Sequence, residues 1–358
     1  MQDITLLTHI DRMTLFYSGY PLMSNEIWSR VSIFDSIKDA LASRNNDVVI
    51  VIRYFRFRKS NSEERDVEVE KIKKLRNKYS QVIFFDDADG AGDTRFEVMP
   101  FVDKYLKKQT FKSFENYKRR LYGRQLFTEY YHKKYNATDK RKRTRIPLNT
   151  NVDSSKIEVS WNLGAGRYPI HPNLQRIGTA IVLVLGKTGV IWRYKKPKTK
   201  YISFSKKDPF IHAHFDCEGK GRTTVDFQRK IFFERINEEK EFKTGVVSKR
   251  RYDKNISKSM ITLSPFGWGE ICFRDFEAIL HGSALMKPNM DHLDTWPNVY
   301  IPYETYIPVS WDGDDVVPKA HEYLSKPEEC ARIAENAREV WRNSLSNLKE
   351  RVKSLIYP

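Results

Sequence analysis

The sequence predicts an α/β protein built on doubly wound parallel sheets, and three observations support that prediction. Strand-like and helix-like segments alternate through the first hundred residues, which is the pattern of a parallel sheet covered by helices. Residues 260–286 read as strand, glycine loop, helix and strand, one half of a Rossmann-like crossover. The chain has 358 residues, enough for two domains that each have a core.

The elements of the first half follow from the hydrophobic pattern. Continuous apolar runs predict buried parallel strands, and apolar residues at helical spacing predict the helices between them. Asp11 follows the first strand, and an acidic loop at residues 86–90 follows the strand at 81–85. The predicted strands are residues 4–10, 47–54, 81–85 and 101–105, and the predicted helices are residues 26–43 and 64–79.

Residues 107–145 are basic and aromatic, with the sequence KKQTFKSFENYKRRLYGRQLFTEYYHKKYNATDKRKRTR. Lysines and arginines interleaved with Phe and Tyr can neutralise phosphates and stack on bases, or contact acidic lipid headgroups. The alternative is a pair of surface helices whose aromatic rings pack in the core and whose lysines are solvated. The segment leaves nucleic acid, an anionic membrane and a structural role open.

The whole chain is strongly basic. Lys and Arg number 63 against 46 Asp and Glu, which gives a net charge of +17 and a pI near 9.5. Such a charge attracts polyanions or an anionic membrane, although a solvated lysine-rich surface has the same composition. The three separated cysteines, the lack of a signal peptide and the lack of a run of about 18 apolar residues predict a cytoplasmic protein with at most peripheral membrane contact.

The second half contains a further glycine loop, at residues 219–222, before a helix predicted at 224–236. Loop amides and a helix N-terminus can together hold a phosphate. Arg222 and Arg229 lie there and can clamp a diphosphate, although Arg229 can equally form a surface ion pair. Residues 328–356 predict one or two amphipathic helices, long enough to reach back across both domains.

The stretch with the most chemical information is residues 264–288, SPFGWGEICFRDFEAILHGSALMKP. Glu270, Arg274 and Glu277 fall at i, i+4 and i+7 of the predicted helix, which puts a charged stripe on an otherwise apolar segment. The stripe can pair with itself or face a ligand. The preceding loop, Gly-Trp-Gly at 267–269, favours a ligand because glycine leaves backbone amides open to close approach.

Two other groups of residues could support catalysis or metal binding. The Asp-Ala-Asp sequence at 87–89 matches the DxD pattern, in which two carboxylates hold a divalent ion on a diphosphate. One of these carboxylates could instead be a general base or stabilise the turn. His212, His214 and Asp216 alternate along a predicted strand, but no second ligand pair follows them, so a structural role is favoured over a metal triad.

The run GWGEICFRDFEAILHGSALMKP resembles the carboxy-terminal donor motif of GT-B glycosyltransferases, particularly exostosin-like enzymes. The matching positions are Gly267, Trp268, Gly269, Arg274, Glu277, Ala278 and Gly282. The resemblance implies two Rossmann-like domains that face each other across a cleft. Residues 1–165 would form the acceptor domain, residues 166–335 the nucleotide-sugar domain, and residues 336–358 a helix that returns to the first domain.

The resemblance also implies roles for individual residues. Glu277 would bind the nucleotide ribose, Arg222 and Arg274 the diphosphate, and Glu270 would complete the donor site with the Gly-Trp-Gly loop. GT-B enzymes generally need no metal for chemistry, so the implied ligand is the nucleotide-sugar, with no cofactor. Common retaining members carry a Glu-x7-Glu pattern whose first glutamate falls here at Gly269, and this departure favours an inverting mechanism.

These observations together predict a glycosyltransferase of the hexosyl- or pentosyltransferase class, with a part in polysaccharide biosynthesis. The sugar would pass from a nucleotide-sugar to a glycan or lipid-linked acceptor. Asp87 is the first choice of catalytic base and Asp11 the second, since both follow strands of the first domain. Arg222, Arg274 and the amides of 267–269 would stabilise the leaving diphosphate. The alternatives are transfer onto modified DNA and a non-catalytic nucleic-acid-binding protein.

Overall fold

A computed structural model describes residues 2–9, 18–23, 26–55, 62–140, 147–148, 153–166, 202–204, 207–217 and 223–357 of the chain. The predicted second base, Asp11, and the predicted diphosphate ligand Arg222 lie outside the described residues.

The first half of the chain builds a six-stranded, fully parallel sheet in the order β2-β1-β3-β4-β5-β7. The central strands are the predicted apolar runs, and their Val, Ile and Phe side chains are buried because helices or loops cover both faces. The strands are β1 (Ile4–Leu7), β2 (Val31–Phe34), β3 (Val48–Ile52), β4 (Gln81–Asp86), β5 (Lys104–Lys107) and β7 (Ile157–Val159). The α-helices of this half are α1 (Tyr20–Met23), α2 (Ile37–Ala42), α3 (Ser62–Lys78) and α4 (Leu126–Tyr135).

The second half builds a five-stranded parallel sheet in the order β13-β11-β10-β8-β9. Its strands are β8 (Asp208–His212), β9 (Phe242–Lys243), β10 (Ser259–Leu263), β11 (Ala284–Pro288) and β13 (Ile307–Val309). Its helices are α5 (Thr223–Ile236), α6 (Lys249–Lys258), α7 (Phe273–Leu280), α8 (Val316–Leu324), α9 (Pro327–Ser346) and α10 (Leu348–Ile356). Short 3-10 helices add Glu26–Arg30, Phe96–Phe101, Phe114–Lys118, Ser154–Lys156 and Leu163–Ala165.

The two halves are joined by more than the covalent chain. Strand β6 (Gln109–Phe111) from the first half pairs antiparallel with β12 (Leu293–Thr295) from the second. Helix α9 begins in the core of the second sheet, where Cys330 is buried, and Trp341 near its end is buried in a cluster that contains residues of both halves. Helix α10 then buries Val352 against the first sheet. The predicted fold class, two Rossmann-like domains with C-terminal helices that cross back, is confirmed.

One predicted helix of the first half is wrong. Residues 26–43, expected to be a single helix, form a 3-10 helix at Glu26–Arg30, the edge strand β2 and the short helix α2. The residues of β2 read VSIF, and β-branched side chains at Val31 and Ile33 suit a strand that pairs in register with β1. The sequence pattern could not show this pairing, because the partner strand lies more than twenty residues earlier.

Part of the basic and aromatic segment is structural, although its described residues form β6, a 3-10 helix and the single helix α4 instead of the expected pair of helices. The rings of Phe111, Tyr117, Phe127 and Tyr131 are at most 3% exposed and pack in the largest core cluster. These rings cannot stack on bases, because no face of them reaches solvent. Within the residues that the structure describes, no helix is both long and apolar enough to cross a membrane.

Candidate functional site

A cavity of about 470 Å³ lies where the carboxyl ends of the two sheets face each other. Parallel strands of an open α/β sheet direct their following loops to one edge, which is where such folds bind ligands. The loop after β4 supplies one wall, and the Gly-Trp-Gly loop after β10 and the start of α7 supply the other. The lining residues include Ser18, Arg53, Asp87, Asp89, Lys108, Arg229, Tyr252, Gly267, Trp268, Gly269, Arg274 and Glu277.

Two arginines give the wall of the second domain its positive charge. Arg274 donates from Nη2 to the carbonyl of His214 at 3.0 Å, and its Nε is buried without a hydrogen-bond partner among the described residues. Arg229 donates from Nε to the carbonyl of Phe266 and from Nη1 to that of Asp216, each at 3.1 Å. Both guanidinium groups are thus held by backbone carbonyls and keep their full charge for an anion in the cavity.

The described surroundings of Arg229 bear on the two roles considered for it. Its guanidinium bonds backbone carbonyls beside the Gly-Trp-Gly loop, within 3.1 Å of the point where a Cβ on Gly267 would lie. No carboxylate of the described residues pairs with it, and the phosphate-clamp role stays a prediction. The sequence signal was its position on a helix after a glycine loop.

Glu277 lies on the same wall as the arginines but is already engaged. Its carboxylate accepts a hydrogen bond from the Tyr252 hydroxyl at 2.6 Å and lies 3.7 Å from the Lys249 ammonium. Burial, together with the charge of Glu277, raises the pKa of Tyr252, so this hydroxyl stays protonated and donates. Tyr252 therefore orients a carboxylate at the rim of the cavity, and helix α6 contributes to the site.

Asp87 lies in the first-domain wall, at the end of β4. Its carboxylate accepts from Arg53 Nε at 2.7 Å and from the Ser18 hydroxyl at 2.7 Å, and the residue is 4% exposed. The charge of Asp87 raises the pKa of Arg53. The sequence analysis missed Arg53, whose only signal is that it directly follows β3.

The Asp-Ala-Asp sequence meets cations of the chain at both carboxylates. Asp89 lies 3.6 Å from Arg53 Nη2 and 3.7 Å from the Lys108 ammonium, while Asp87 bonds Arg53. Burial lowers the pKa of Lys108, and the neighbouring aspartates oppose that shift. The two aspartates therefore belong to an ion-pair network in the cavity wall. In this network Arg53 and Lys108 neutralise the carboxylates, as a metal ion would in a DxD site.

His212 and His214 pack around Tyr252 rather than forming an open metal triad. The His212 ring is fully buried, both of its nitrogens lack partners among the described residues, and burial lowers its pKa to about 2. The Nδ1 of His214 lies 2.9 Å from the Gly245 carbonyl, and its Nε2 lies 2.8 Å from the Asn255 amide. Those partners fit a neutral His214 that donates from Nδ1 and accepts at Nε2.

The side chain of Glu270 does not reach the cavity, contrary to its predicted part in the nucleotide-sugar site. This residue precedes helix α7 instead of lying on it, because Asp275 caps the helix by accepting from the Cys272 amide at 3.0 Å. The Glu270 carboxylate is fully buried and accepts from the amide of Ala91, in the first domain, at 3.1 Å. Glu270 therefore links the two domains behind the cavity, and the predicted three-residue stripe does not form.

Glu270 predicts an unusual pH dependence of stability. Burial raises its pKa above the ordinary value of 4.5, so the folded chain holds this proton more tightly than the unfolded chain and loses stability as pH rises through that range. Glu270→Gln is expected to match or exceed the wild type in urea unfolding at neutral pH, with the difference shrinking toward pH 4.5. Glu270→Ala should instead cost about 1–3 kcal/mol, because it leaves the Ala91 amide unpaired. A glutamine variant weaker than the alanine variant would contradict this account.

The two glycines of the Gly-Trp-Gly loop have different surroundings. The Gly267 amide donates to the Gly269 carbonyl at 2.9 Å, so it is not open to a ligand as predicted. A Cβ on Gly269 would lie 1.6 Å from the carbonyl oxygen of Asp89, in the opposite domain. Glycine at 269 thus lets the Gly-Trp-Gly loop pack against the loop that carries Asp87.

A matched pair of variants tests this contact. Gly269→Ala is expected to lower the free energy of unfolding by about 1–3 kcal/mol, because two backbones must separate. Gly267→Ala is the control, since the nearest atoms to its Cβ would be the side-chain atoms Arg229 Nη2 at 3.1 Å and Cys272 Sγ at 3.4 Å, and the nearest backbone atom, the Gly269 oxygen, would lie 4.0 Å away. Equal losses in the two variants, measured by denaturant unfolding, would show that the inter-domain contact has no special importance.

The sequence analysis also missed a buried ion pair beneath the loop. Asp275 and Lys287 are both fully buried, with Nζ and carboxylate 3.2 Å apart. The same carboxylate accepts from the Ser264 hydroxyl at 2.5 Å and the Tyr300 hydroxyl at 2.8 Å. This network ties β10, the loop, α7 and β11 into one unit and so positions the second-domain wall of the cavity.

Comparisons with known proteins yield fold relatives at low similarity. No family model matches the chain, and no curated protein matches it in sequence. Anabaena Alr3699/HepE, solved with UDP-glucose, is 7% identical, with 99% of both chains covered and a TM-score of 0.49. A glycosyltransferase from Rickettsia africae is 11% identical, covering 99% of this chain and 98% of its own at a TM-score of 0.41. TarM of S. aureus is 10% identical, covering 87% of this chain and 55% of its own at a TM-score of 0.44.

Proposed function

We propose that the protein is a glycosyltransferase that binds a nucleotide-sugar in the cavity between its two domains. The observation that carries the proposal is the convergence of Arg229 and Arg274 beside the Gly-Trp-Gly loop, opposite Asp87 in the same cavity. Two cations held by backbone carbonyls suit a diphosphate, and a carboxylate across from them suits the activation of a hydroxyl. This arrangement supports group transfer from a diphosphate leaving group.

In the proposed mechanism, Arg229 and Arg274 bind the diphosphate and stabilise the charge that grows on it as the sugar departs. Glu277, oriented by Tyr252, accepts hydrogen bonds from the nucleotide ribose. The exposed ring of Trp268, at the rim of the cavity, packs on the donor or acceptor. No cofactor takes part.

The acceptor hydroxyl enters from the first-domain wall. Asp87, held by Arg53 and Ser18, accepts the proton from that hydroxyl as the oxygen attacks the anomeric carbon, which is an inverting displacement. A glycan or a lipid-linked glycan is the proposed acceptor, consistent with a part in polysaccharide biosynthesis in the cytoplasm.

The assignment of the base is tested by a pair of aspartate variants. Asp87→Asn is expected to lower transfer by about 10²–10⁴-fold, because the amide cannot take a proton, while binding of the nucleotide-sugar stays near the wild-type value. Asp89→Asn, in the same wall, should lose far less. Transfer that survives in Asp87→Asn and is lost in Asp89→Asn would move the base to Asp89.

The activity itself is tested by thermal unfolding with a panel of nucleotide-sugars, since a ligand that binds only the folded chain raises its melting temperature. At least one donor should stabilise the wild type and fail to stabilise Arg274→Ala. Stabilisation by none of the donors would favour a non-catalytic nucleic-acid-binding protein, and activity only with a DNA acceptor would favour transfer onto modified DNA.

A further inference from the structure

A second concave surface lies on the other side of helix α6 from the cavity. This basic groove has a volume of about 640 Å³ and is lined by Asp208, Lys243, Ser248, Arg250, Arg251, Lys254, Asn255 and Lys258. Five of its eight lining residues are cations and one is an acid, and the five cations are all exposed. The groove belongs to the second domain and has no lining residue in common with the cavity.

Four of the five cations that line the groove lack an acidic partner among the described residues, while the fifth, Lys258, lies 3.8 Å from Asp208. On α9, Arg332 and Arg338 each pair with a glutamate three residues earlier. In contrast, the structure shows no carboxylate within 4 Å of Lys243, Arg250, Arg251 or Lys254 among the residues it describes. The single acid of α6, Asp253, pairs with Lys249 outside the groove. Among the described residues, the positive charge of the groove is therefore neutralised only in part, by Asp208.

The distribution of charge within α6 does not serve the stability of the helix. Lys249, Arg250 and Arg251 occupy its first turn, where the helix dipole disfavours positive charge. Burial lowers the pKa of Lys243, Asp208 opposes that shift, and the nearby cations Lys258, Arg251 and Lys254 add to it. An anion in the groove would relieve both effects.

We propose that the basic groove of α6 docks the protein on an anionic phospholipid surface. The positive charge of the groove is complementary to a surface with dense phosphates. The exposed side chain of Val246 favours a bilayer over a nucleic acid as that surface. This side chain is 84% exposed and lies two residues before the N-cap of α6, so it can enter the headgroup layer while the lysines and arginines contact phosphates. None of the described residues that line the groove is aromatic and able to stack on bases.

Docking through this groove would bring the cavity close to the membrane. Tyr252 on α6 lines the cavity while Arg250 and Lys254 line the groove, so the two sites are separated by about one helix diameter, roughly 10 Å. A lipid-linked acceptor could then reach the first-domain wall without leaving the bilayer. This consequence rests on the proposed function, whereas the docking itself does not.

The test measures the binding of the full chain to sedimented vesicles in the absence of any nucleotide-sugar. Vesicles of phosphatidylcholine mixed with phosphatidylglycerol should bind the wild type, and vesicles of phosphatidylcholine alone should not. The Arg250→Ala/Lys254→Ala variant is expected to bind about 30-fold more weakly, at about fivefold per charge. Both positions are exposed on a helix, where alanine is favourable, so the variant should fold; its melting temperature checks this.

The matched control removes two lysines elsewhere, as Lys118→Ala/Lys326→Ala, whose side chains pair with Glu115 and Glu322. The control should keep most of the binding, and an equal loss would overturn the proposal in favour of the net charge of the protein. Val246→Ser should weaken binding to the mixed vesicles severalfold and leave retention on a DNA column unchanged. Vesicle binding that is absent, or groove variants that lose only DNA binding, would also overturn the proposal.

Discussion

Arg274→Ala is expected to reduce kcat/KM for sugar transfer by about 10²–10³-fold, the usual effect of removing one preorganised donor to a developing negative charge. The Arg274 guanidinium lines the cavity, and its Nε is buried without a partner among the described residues. Arg229, which lines the same wall and is held by two carbonyls, keeps its positive charge in the variant, so a part of the activity should remain. Steady-state kinetics with the donor found by thermal unfolding measures the loss.

Arg235→Ala is the control for Arg274→Ala. Arg235 also donates from its guanidinium to a backbone carbonyl, that of Asp312 at 2.8 Å, but it does not line the cavity. Both variants leave one carbonyl without its partner, and Arg235→Ala also removes an ion pair with Asp314. Both should therefore lose stability, while only Arg274→Ala should lose activity. Arg274→Lys should recover a part of the activity, since a lysine keeps the charge but not the planar fork. Equal kinetics of the two alanine variants would remove Arg274 from the site.

Asp275→Ala is expected to have the largest effect on stability, a loss of about 3–5 kcal/mol. The substitution leaves the buried ammonium of Lys287 without its counter-ion and removes the acceptor shared by Ser264 and Tyr300. A loss of that size is a large fraction of the total stability of a typical domain. Urea unfolding followed by circular dichroism measures it.

The double variant Asp275→Leu/Lys287→Met separates the pair from the rest of the network. Replacing both charges with apolar side chains should recover much of the loss, because no unpaired charge stays buried. The exposed pair of Glu322 and Lys326 provides the comparison, and Glu322→Ala should cost less than about 1 kcal/mol. A double variant as unstable as Asp275→Ala would show that hydrogen bonds to the carboxylate, and not the ion pair, hold this unit together.

Much of the fold could be predicted from the sequence, because its strongest signals are local. The apolar runs that became β3 and β4 are too continuous for any position but the centre of a parallel sheet. The strand, loop and helix around the Gly-Trp-Gly loop follow from glycine and from the apolar spacing of the helix. The prediction of a helix at 26–43 was wrong because it also relied on a local signal. The apolar spacing there is compatible with a helix, and only pairing with β1 makes β2 a strand.

The site could be predicted only in part. Arg274, Glu277 and Asp87 line one cavity, and each had been selected from its position after a strand or on the helix that follows. Glu270 had the same kind of signal, but its carboxylate reaches the amide of Ala91, which is 179 positions away in the chain. The sequence gives almost no sign that Arg53 belongs to the site, because its role depends on the carboxylate of Asp87, which follows the next strand, β4.

The sequence by itself determined the class of the fold and the position of the Gly-Trp-Gly loop. Hydrophobic periodicity, glycines and helix caps shape the backbone over a few neighbouring positions, so they can be recognised in the sequence. Only the tertiary structure decided which charged side chains face the cavity and which are buried between the domains. Charge pairing and burial depend on contacts that the sequence does not show, as with the pair of Asp275 and Lys287 or with Arg250 and Lys254, which have no acidic partner among the described residues. Their chemistry is therefore visible only once both sheets are in place.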